Sequence, residues 1–190
     1  MAFQLIAGHP ALDFVNTLDW RFRQEGAEEL LNTYGDLLRF TEQSKLLTSK
    51  QARELGRLAS DATMVRCREL REALADTFYA RVPSVRSRAT LERHFKAAVL
   101  EQKLAWKQSP HLEWSWSSVQ KHPDLPLWTL GMSALELMTS KAVEQVHACD
   151  NPECRWLFLD TSKNHTRRWC DMKLCGNRMK ARRFKAQRKA

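Results

Sequence analysis

Cys149-Asp-Asn-Pro-Glu-Cys154 and, fifteen residues further on, Cys170-Asp-Met-Lys-Leu-Cys175 decide how this chain is read. Two short cysteine pairs flank an apolar run, Trp156-Leu-Phe-Leu159, of strand length. A tetrahedral metal site needs this arrangement: each pair supplies two thiolates from one tight turn, and the run between them folds back to join the pairs. Asn151-Pro152 is turn chemistry suited to the first knuckle. Asp171 can cap a helix start, which places the second pair where a turn passes into a helix. The spacing predicts a structural zinc on Cys149, Cys154, Cys170 and Cys175. The alternatives are two disulfides, which require an oxidising compartment, or four unrelated buried thiols. Four sulfurs would close the coordination sphere and leave no position for an activated water. His147 and His165 lie close enough to substitute but read as surface or turn residues. Metal binding and folding of so short a segment should be one event.

Charge gathers at the same end. The 190 residues carry a net charge of +9, yet residues 149–190 hold twelve Lys and Arg against four Asp and Glu. A near-neutral body joined to a basic end points to a polyanion partner for that end. An apolar fraction of 43% is enough for a core and excludes a disordered chain. The N-terminus has no basic leader and no segment reaches membrane-span length, so a soluble cytoplasmic protein is expected. The fifth cysteine, Cys67, falls in a helical apolar stripe and reads as a core residue.

Upstream, Phe3 to Ala7 reads as a short strand. Pro10 then opens a helix through Leu12-Asp-Phe-Val-Asn-Thr-Leu18, with Leu12, Val15 and Leu18 on one face. Asp13, Asn16 and Thr17 form a polar set that could bind a small ligand or fasten the entry loop to backbone. Thr33 with Asp36 and Thr48 with Gln51 are capping boxes. Helices are predicted near 34–43, 49–59 and 62–82, the last with Cys67, Leu70, Leu74, Thr77 and Phe78 inward. The junction at Ala59-Ser60-Asp61 resembles a helix-turn-helix, but the second helix is too long and too mixed in charge for recognition. A helix over 88–99 should bury Leu91, Phe95, Ala98 and Val99. Leu104, Trp106, Leu112, Trp114 and Trp116 then alternate as a hairpin about Ser109-Pro110, its tryptophan stripe expected to lie on helices rather than to line a pocket or stack bases. Asp124 is expected to cap a buried helix over 127–142, from which the chain enters the cysteine segment with no flexible linker.

Beyond Cys175 nothing breaks a helix. Arg178, Arg182, Lys185 and Lys189 recur at helical spacing, with Lys180 and Arg183 on neighbouring faces and Met179 and Phe184 to tack one side down. Arg167-Arg168 add charge beside the metal. Guanidinium groups suit phosphates and guanine edges, and most such contacts would go to phosphate.

Cys154-Arg-Trp-Leu-Phe-Leu-Asp-Thr-Ser-Lys-Asn164, Arg167-Arg-Trp-Cys170 and Cys175-Gly-Asn-Arg178 together resemble the bacterial CGNR zinc-finger family. Leu12-Asp-Phe-Val-Asn-Thr17 resembles the signature of the N-terminal ABATE region that its members usually carry. The resemblance implies stress-induced transcription regulators, with the four cysteines as zinc ligands and Arg167, Arg168 and Arg178 in the basic signature of a DNA-binding finger.

The expected fold class is α+β: a mainly helical body over 1–142 with a Trp-rich hairpin, and a treble-clef-like finger over 143–190. The expected function is zinc-dependent DNA binding in transcription regulation, through Arg167, Arg168, Arg178, Lys180, Arg182, Arg183, Lys185 and Arg188. The body would sense a small-molecule ligand through Asp13, Asn16 and Thr17, or form a homodimer. The alternative is a zinc-stabilised protein-interaction module. No nucleophile–base pair is recognisable, so no enzyme is expected.

Overall fold

The computed structural model describes residues 2–58, 60–106 and 110–188. Ala59 of the predicted helix junction, Ser109 of the predicted turn and Lys189 of the basic face lie outside them. The fold is α+β and mainly helical, with three small antiparallel strand pairs among the described residues. Two compact units are present: residues 31–136, and residues 2–30 together with 137–190.

The first unit begins with α2 (Tyr34–Gln43) and α3 (Ser49–Leu55), and both predicted capping boxes form. Thr33 and Thr48 each accept from the backbone N–H three residues on, while Asp36 and Gln51 accept in return. α3 stops at Leu55 and tightens into a 3-10 turn over Gly56–Leu58, short of the predicted end. α4 (Asp61–Ala80) buries Cys67, Leu70 and Leu74, and closes on Arg81 in the left-handed region (φ 64). α5 spans Val85–Glu101. Its inward face is Leu91, His94 and Ala98, whereas Val99 is exposed, a rotation from the predicted stripe. This side of α5 lies against α6 (Leu125–Thr139): a Cβ on Gly131 would sit 3.6 Å from Ala98 Cβ and 3.7 Å from the His94 carbonyl, ordinary contact distances.

Asp124 does not cap α6 with its side chain as predicted. Its carboxylate accepts from Arg66 Nη2 at 2.6 and 2.7 Å and from Thr63 Oγ1, which ties the α6 entry to α4. The hairpin forms from β3 (Lys103–Trp106) and β4 (Leu112–Ser115), with Leu104 opposite Trp114 and Trp106 opposite Leu112. Its orientation is the reverse of the prediction. Leu104, Trp106, Leu112 and Trp114 share the exposed face, and the half-buried positions are Ala105 and Ser115 on the other. Only Trp116 turns inward, stacking on Trp128 of α6 with centroids 6.5 Å apart. It has left the strand period because the chain bends there into a 3-10 turn over Ser117–Val119.

In the second unit, α1 (Pro10–Val15) carries Pro in its first turn as predicted, but ends before Leu18. β1 (Leu18–Asp19) pairs with β2 (Glu28–Glu29), and β5 (Val146–Ala148) with β6 (Leu157–Leu159). The strand predicted at Phe3–Ala7 does not form. The Ala7 N–H is taken by Asp13 Oδ1 at 2.9 Å, so only its carbonyl is left to accept from Leu159 N–H. The terminal helix α7 spans Asn177–Gln187. Among the described residues no helix is long and apolar enough to cross a membrane.

Candidate metal centre and nucleic-acid interface

The first knuckle grows out of β5. Cys149 N–H donates to the Trp156 carbonyl at 2.8 Å, extending the β5–β6 ladder up to the first cysteine. The chain then turns on Asn151, which is fully buried. Its carbonyl accepts from the N–H groups of Cys154 and Arg155, and its side-chain oxygen from Glu153 N–H at 3.3 Å. Its amide points at the sulfur of Cys175, 3.5 Å away. Arg155 completes the turn in the left-handed region (φ 54). The second knuckle is capped as its sequence suggests: Asp171 Oδ1 accepts from Leu174 N–H at 2.9 Å, and its carbonyl from Cys175 and Gly176. The wider bond to Gly176 makes Met172–Gly176 a π-type turn, which delivers Cys175 inward before α7 begins. A Cβ on Gly176 would come within 2.4 Å of Met172 Sδ, so a larger residue here would have to displace that exposed, flexible side chain.

Together the knuckles bring Cys149, Cys154, Cys170 and Cys175 into one buried cluster, all four sulfurs within 4.8 Å of one another. The Cys154 and Cys170 sulfurs are 3.7 Å apart. Four thiolates on a tetrahedral ion at about 2.3 Å place their sulfurs about 3.8 Å apart, whereas a disulfide requires about 2.05 Å. The donor set therefore fits a metal, with no disulfide among these cysteines. Crowding makes the thiols ionise unequally. Hydrogen bonds from Cys154 and then Cys170 lower Cys149 to about 7, and bonds led by Cys149 hold Cys175 far below the ordinary thiol range. Cys154 and Cys170, each facing Cys149 first, are pushed up. A divalent cation is what allows all four to carry charge together. A cavity of about 230 Å³ beside the cluster is lined by Trp20, Trp156 and Arg178 together with Cys154, Cys170 and Cys175.

Residues 2–30 brace this centre. Asn16 lies against the free edge of β6: its amide donates to the Leu157 carbonyl and its oxygen accepts from Leu157 N–H, both at 2.9 Å. With Leu159 N–H bonded to the Ala7 carbonyl, the outer edge of β6 is paired by a side chain and a loop rather than by a strand. Trp156 Nε1 donates to Asp19 at 2.7 Å. Trp20 is held in the left-handed region (φ 50), and its ring carries the Arg178 guanidinium 4.9 Å from the centroid.

Asp13, Asn16 and Thr17, the predicted ligand set, are all buried. Each bonds backbone: Asp13 to Ala7, Asn16 to Leu157, and the Thr17 hydroxyl to the Phe14 carbonyl at 2.7 Å. These contacts give the three side chains a fastening role. Burial, only partly offset by the Ala7 and Ile6 N–H groups, raises the Asp13 carboxyl from 3.8 to about 6. The folded state therefore holds this proton more tightly than the unfolded chain. The Asp13 contribution to stability should decline as pH rises from about 4 to about 6 and stay constant above, a span of roughly 3 kcal/mol at most. A carboxyl NMR titration with its midpoint at an ordinary aspartate value would refute this.

Arg167 is similarly occupied within the finger. Its guanidinium donates to the carbonyls of Trp169 (2.9 Å) and Cys170, and sits 4.3 Å above the centre of the Phe158 ring. Its backbone N–H donates to Asp160, a fully buried carboxylate that also accepts twice from Ser162. Those bonds, led by the Ser162 hydroxyl, lower Asp160 to about 2. Asp160 and Asn151 are structural residues of the site that spacing arguments do not single out, since an Asp after a strand and an Asn before a Pro are common in loops. Arg168 pairs with Asp150 at 2.6 Å and remains more than half exposed. α7 is fixed by Arg182, whose Nη2 reaches both oxygens of Glu153 at 2.9 and 3.1 Å. Phe184, predicted to help tack the helix down, is exposed beneath Arg188. Lys180, Arg183 and Lys185 are exposed and have no carboxylate partner among the described residues.

Two family models match the chain. The CGNR zinc finger covers residues 145–188, and ABATE, described as "Putative stress-induced transcription regulator", covers residues 8–141. The chain belongs to the ABATE family. It carries the CGNR finger as its C-terminal part, and the four clustered cysteines of this ABATE–CGNR protein are those of the finger. No curated protein matches it. In three dimensions the first twenty or so residues of the ABATE match, up to Leu30, belong to the same compact unit as the finger.

Proposed function

We propose that this ABATE–CGNR protein is a zinc-dependent DNA-binding regulator of transcription, in which the metal-braced finger presents α7 to duplex phosphates. One observation carries the reading most: the exposed cations Lys180, Arg183 and Lys185 ride on a helix fixed to the first knuckle by the Arg182–Glu153 pair and to the Trp20 ring by Arg178. Cations mounted on a rigid frame lose less entropy on meeting a polyanion than a solvated tail does. Arg168 and Arg188 extend the basic surface, while Arg167 acts by holding the finger together. Zinc bound by Cys149, Cys154, Cys170 and Cys175 would supply the frame and no chemistry, because four sulfurs saturate a tetrahedral ion. The protein is on this reading a binding protein, not an enzyme.

The test is duplex binding over a salt series with the zinc-loaded protein. Affinity should fall steeply with salt. Replacing Lys180, Arg183 and Lys185 by alanine should reduce the logarithmic salt slope by about 3, near one for each phosphate that is no longer neutralised. Selection from random duplexes beside a Cys170→Ser control then asks whether one sequence is preferred, as regulation requires. Absence of duplex binding at low salt would defeat the proposal and favour a zinc-shaped protein-docking module.

A further inference from the structure

The β3–β4 hairpin wears its apolar face outward. Trp106 is 75% exposed, Trp114 60%, Leu104 58% and Leu112 49%. The register puts the four on one face as two cross-strand pairs, so the patch is continuous. Strand side chains alternate strictly between faces, so the same pairing turned over would bury all four and leave Lys103, Ala105, Glu113 and Ser115 outside. The chain presents the apolar face instead. A two-stranded hairpin is marginal alone in water, and its most apolar side chains are the ones left out of the unit it belongs to.

From this we propose that the hairpin face is a self-association surface, covered by the same face of a second copy of this chain around a two-fold axis. Charge and area both favour a copy over other occupants. Residues 101–117 hold two Lys and two Glu, so the segment has no net charge to attract a nucleic acid, an anionic membrane or a strongly charged protein. That neutrality contrasts with the basic surface of α7, where a polyanion reading has its support. Two tryptophans and two leucines exposed to this degree present about 500 Å² of apolar surface. A two-fold pair would bury about 1,000 Å² in total, which reaches the size of a specific interface with a reversible dimer as its product. A two-fold contact is self-complementary, so one patch suffices for both partners, and paired tryptophans are the residues that most often dominate such contacts.

Sedimentation equilibrium on the zinc-loaded full chain tests this. The expected result is a monomer–dimer equilibrium that persists at high salt, unlike the duplex binding proposed for α7, with a tryptophan emission shifted to the blue as the dimer fills. Trp106→Ser/Trp114→Ser should weaken dimerisation by at least roughly thirty-fold, with metal content unchanged and with the wild-type melting temperature at a concentration where both proteins are monomeric. Leu112→Glu, a milder change on the same face, should weaken it too and guards against misfolding of the double variant. The proposal is overturned if the wild type stays monomeric up to about 100 µM, or if both variants dimerise like wild type. It is also overturned if the tryptophan emission responds at high salt to single-stranded DNA or to phosphatidylglycerol vesicles and not to protein concentration.

Discussion

Cys170→Ser is expected to cost the protein its metal and, with it, the fold of the finger. A serine hydroxyl does not ionise near neutral pH, so the remaining three sulfurs would hold the ion in an incomplete sphere. Structural zinc contributes about 10–16 kcal/mol to small fingers at neutral pH, and losing one of four ligands forfeits several kcal/mol of that. Whole domains are stable by only about 5–15 kcal/mol, so the loss is decisive for a segment whose other buried side chains are few. Trp156 and Phe158 are the large ones packed with the four cysteines. Metal analysis after gel filtration should find the ion gone. Amide exchange should show the Cys149 and Leu157 N–H groups unprotected. Chelation of the wild type should reproduce both effects. A variant that kept stoichiometric metal and native protection would show that the cysteines are not acting as a set of four.

The second large effect should come from a residue far from the cysteines in sequence. Asn16→Ala deletes a donor and an acceptor that both bond Leu157 at 2.9 Å, across 141 positions of chain. It leaves a buried N–H and a buried carbonyl on β6 without partners. Each orphaned group costs about 1–3 kcal/mol, giving about 2–6 kcal/mol in all. Asn16→Asp is the sharper probe, because it retains an acceptor for Leu157 N–H but places a carboxylate against the Leu157 carbonyl. β6 leads back from the first knuckle, so either change should also speed metal release to a chelator. Equilibrium unfolding in urea and the chelator-driven release rate are the two readouts. Wild-type values for both would remove Asn16 from the framework of the finger.

The contrast between these residues marks what the sequence can disclose. The four cysteines were legible because a metal imposes fixed donors at short spacings, and the capping boxes of α2 and α3 because their partners lie three residues apart. Asn16 was visible as part of a polar set, but its partner depends on which strand edge the fold brings alongside. Arg167 read as one more cation beside the metal; its carbonyl and Phe158 contacts exist only once both knuckles have closed. The inward stripe of α5 differs because the side that faces α6, at Ala98 and His94, is set by packing against another element. The hairpin misled for a different reason. Alternation fixes which residues share a face and says nothing of which face meets solvent, and here the apolar one does.

The unit that holds the cysteines is discontinuous in the chain, and this has a bearing on biosynthesis. Residues 2–30 are translated more than a hundred positions ahead of the segment they grip. At about 5–20 residues per second, Asn16 and Asp19 wait for seconds before Leu157 and Trp156 exist to receive them. During that interval α1 has no β6 to rest on, and its apolar side chains are exposed to whatever else is in reach. Closing this unit therefore waits on β6, so the contacts of Asn16 with Leu157 and of Asp19 with Trp156 form only after the cysteine segment has been made.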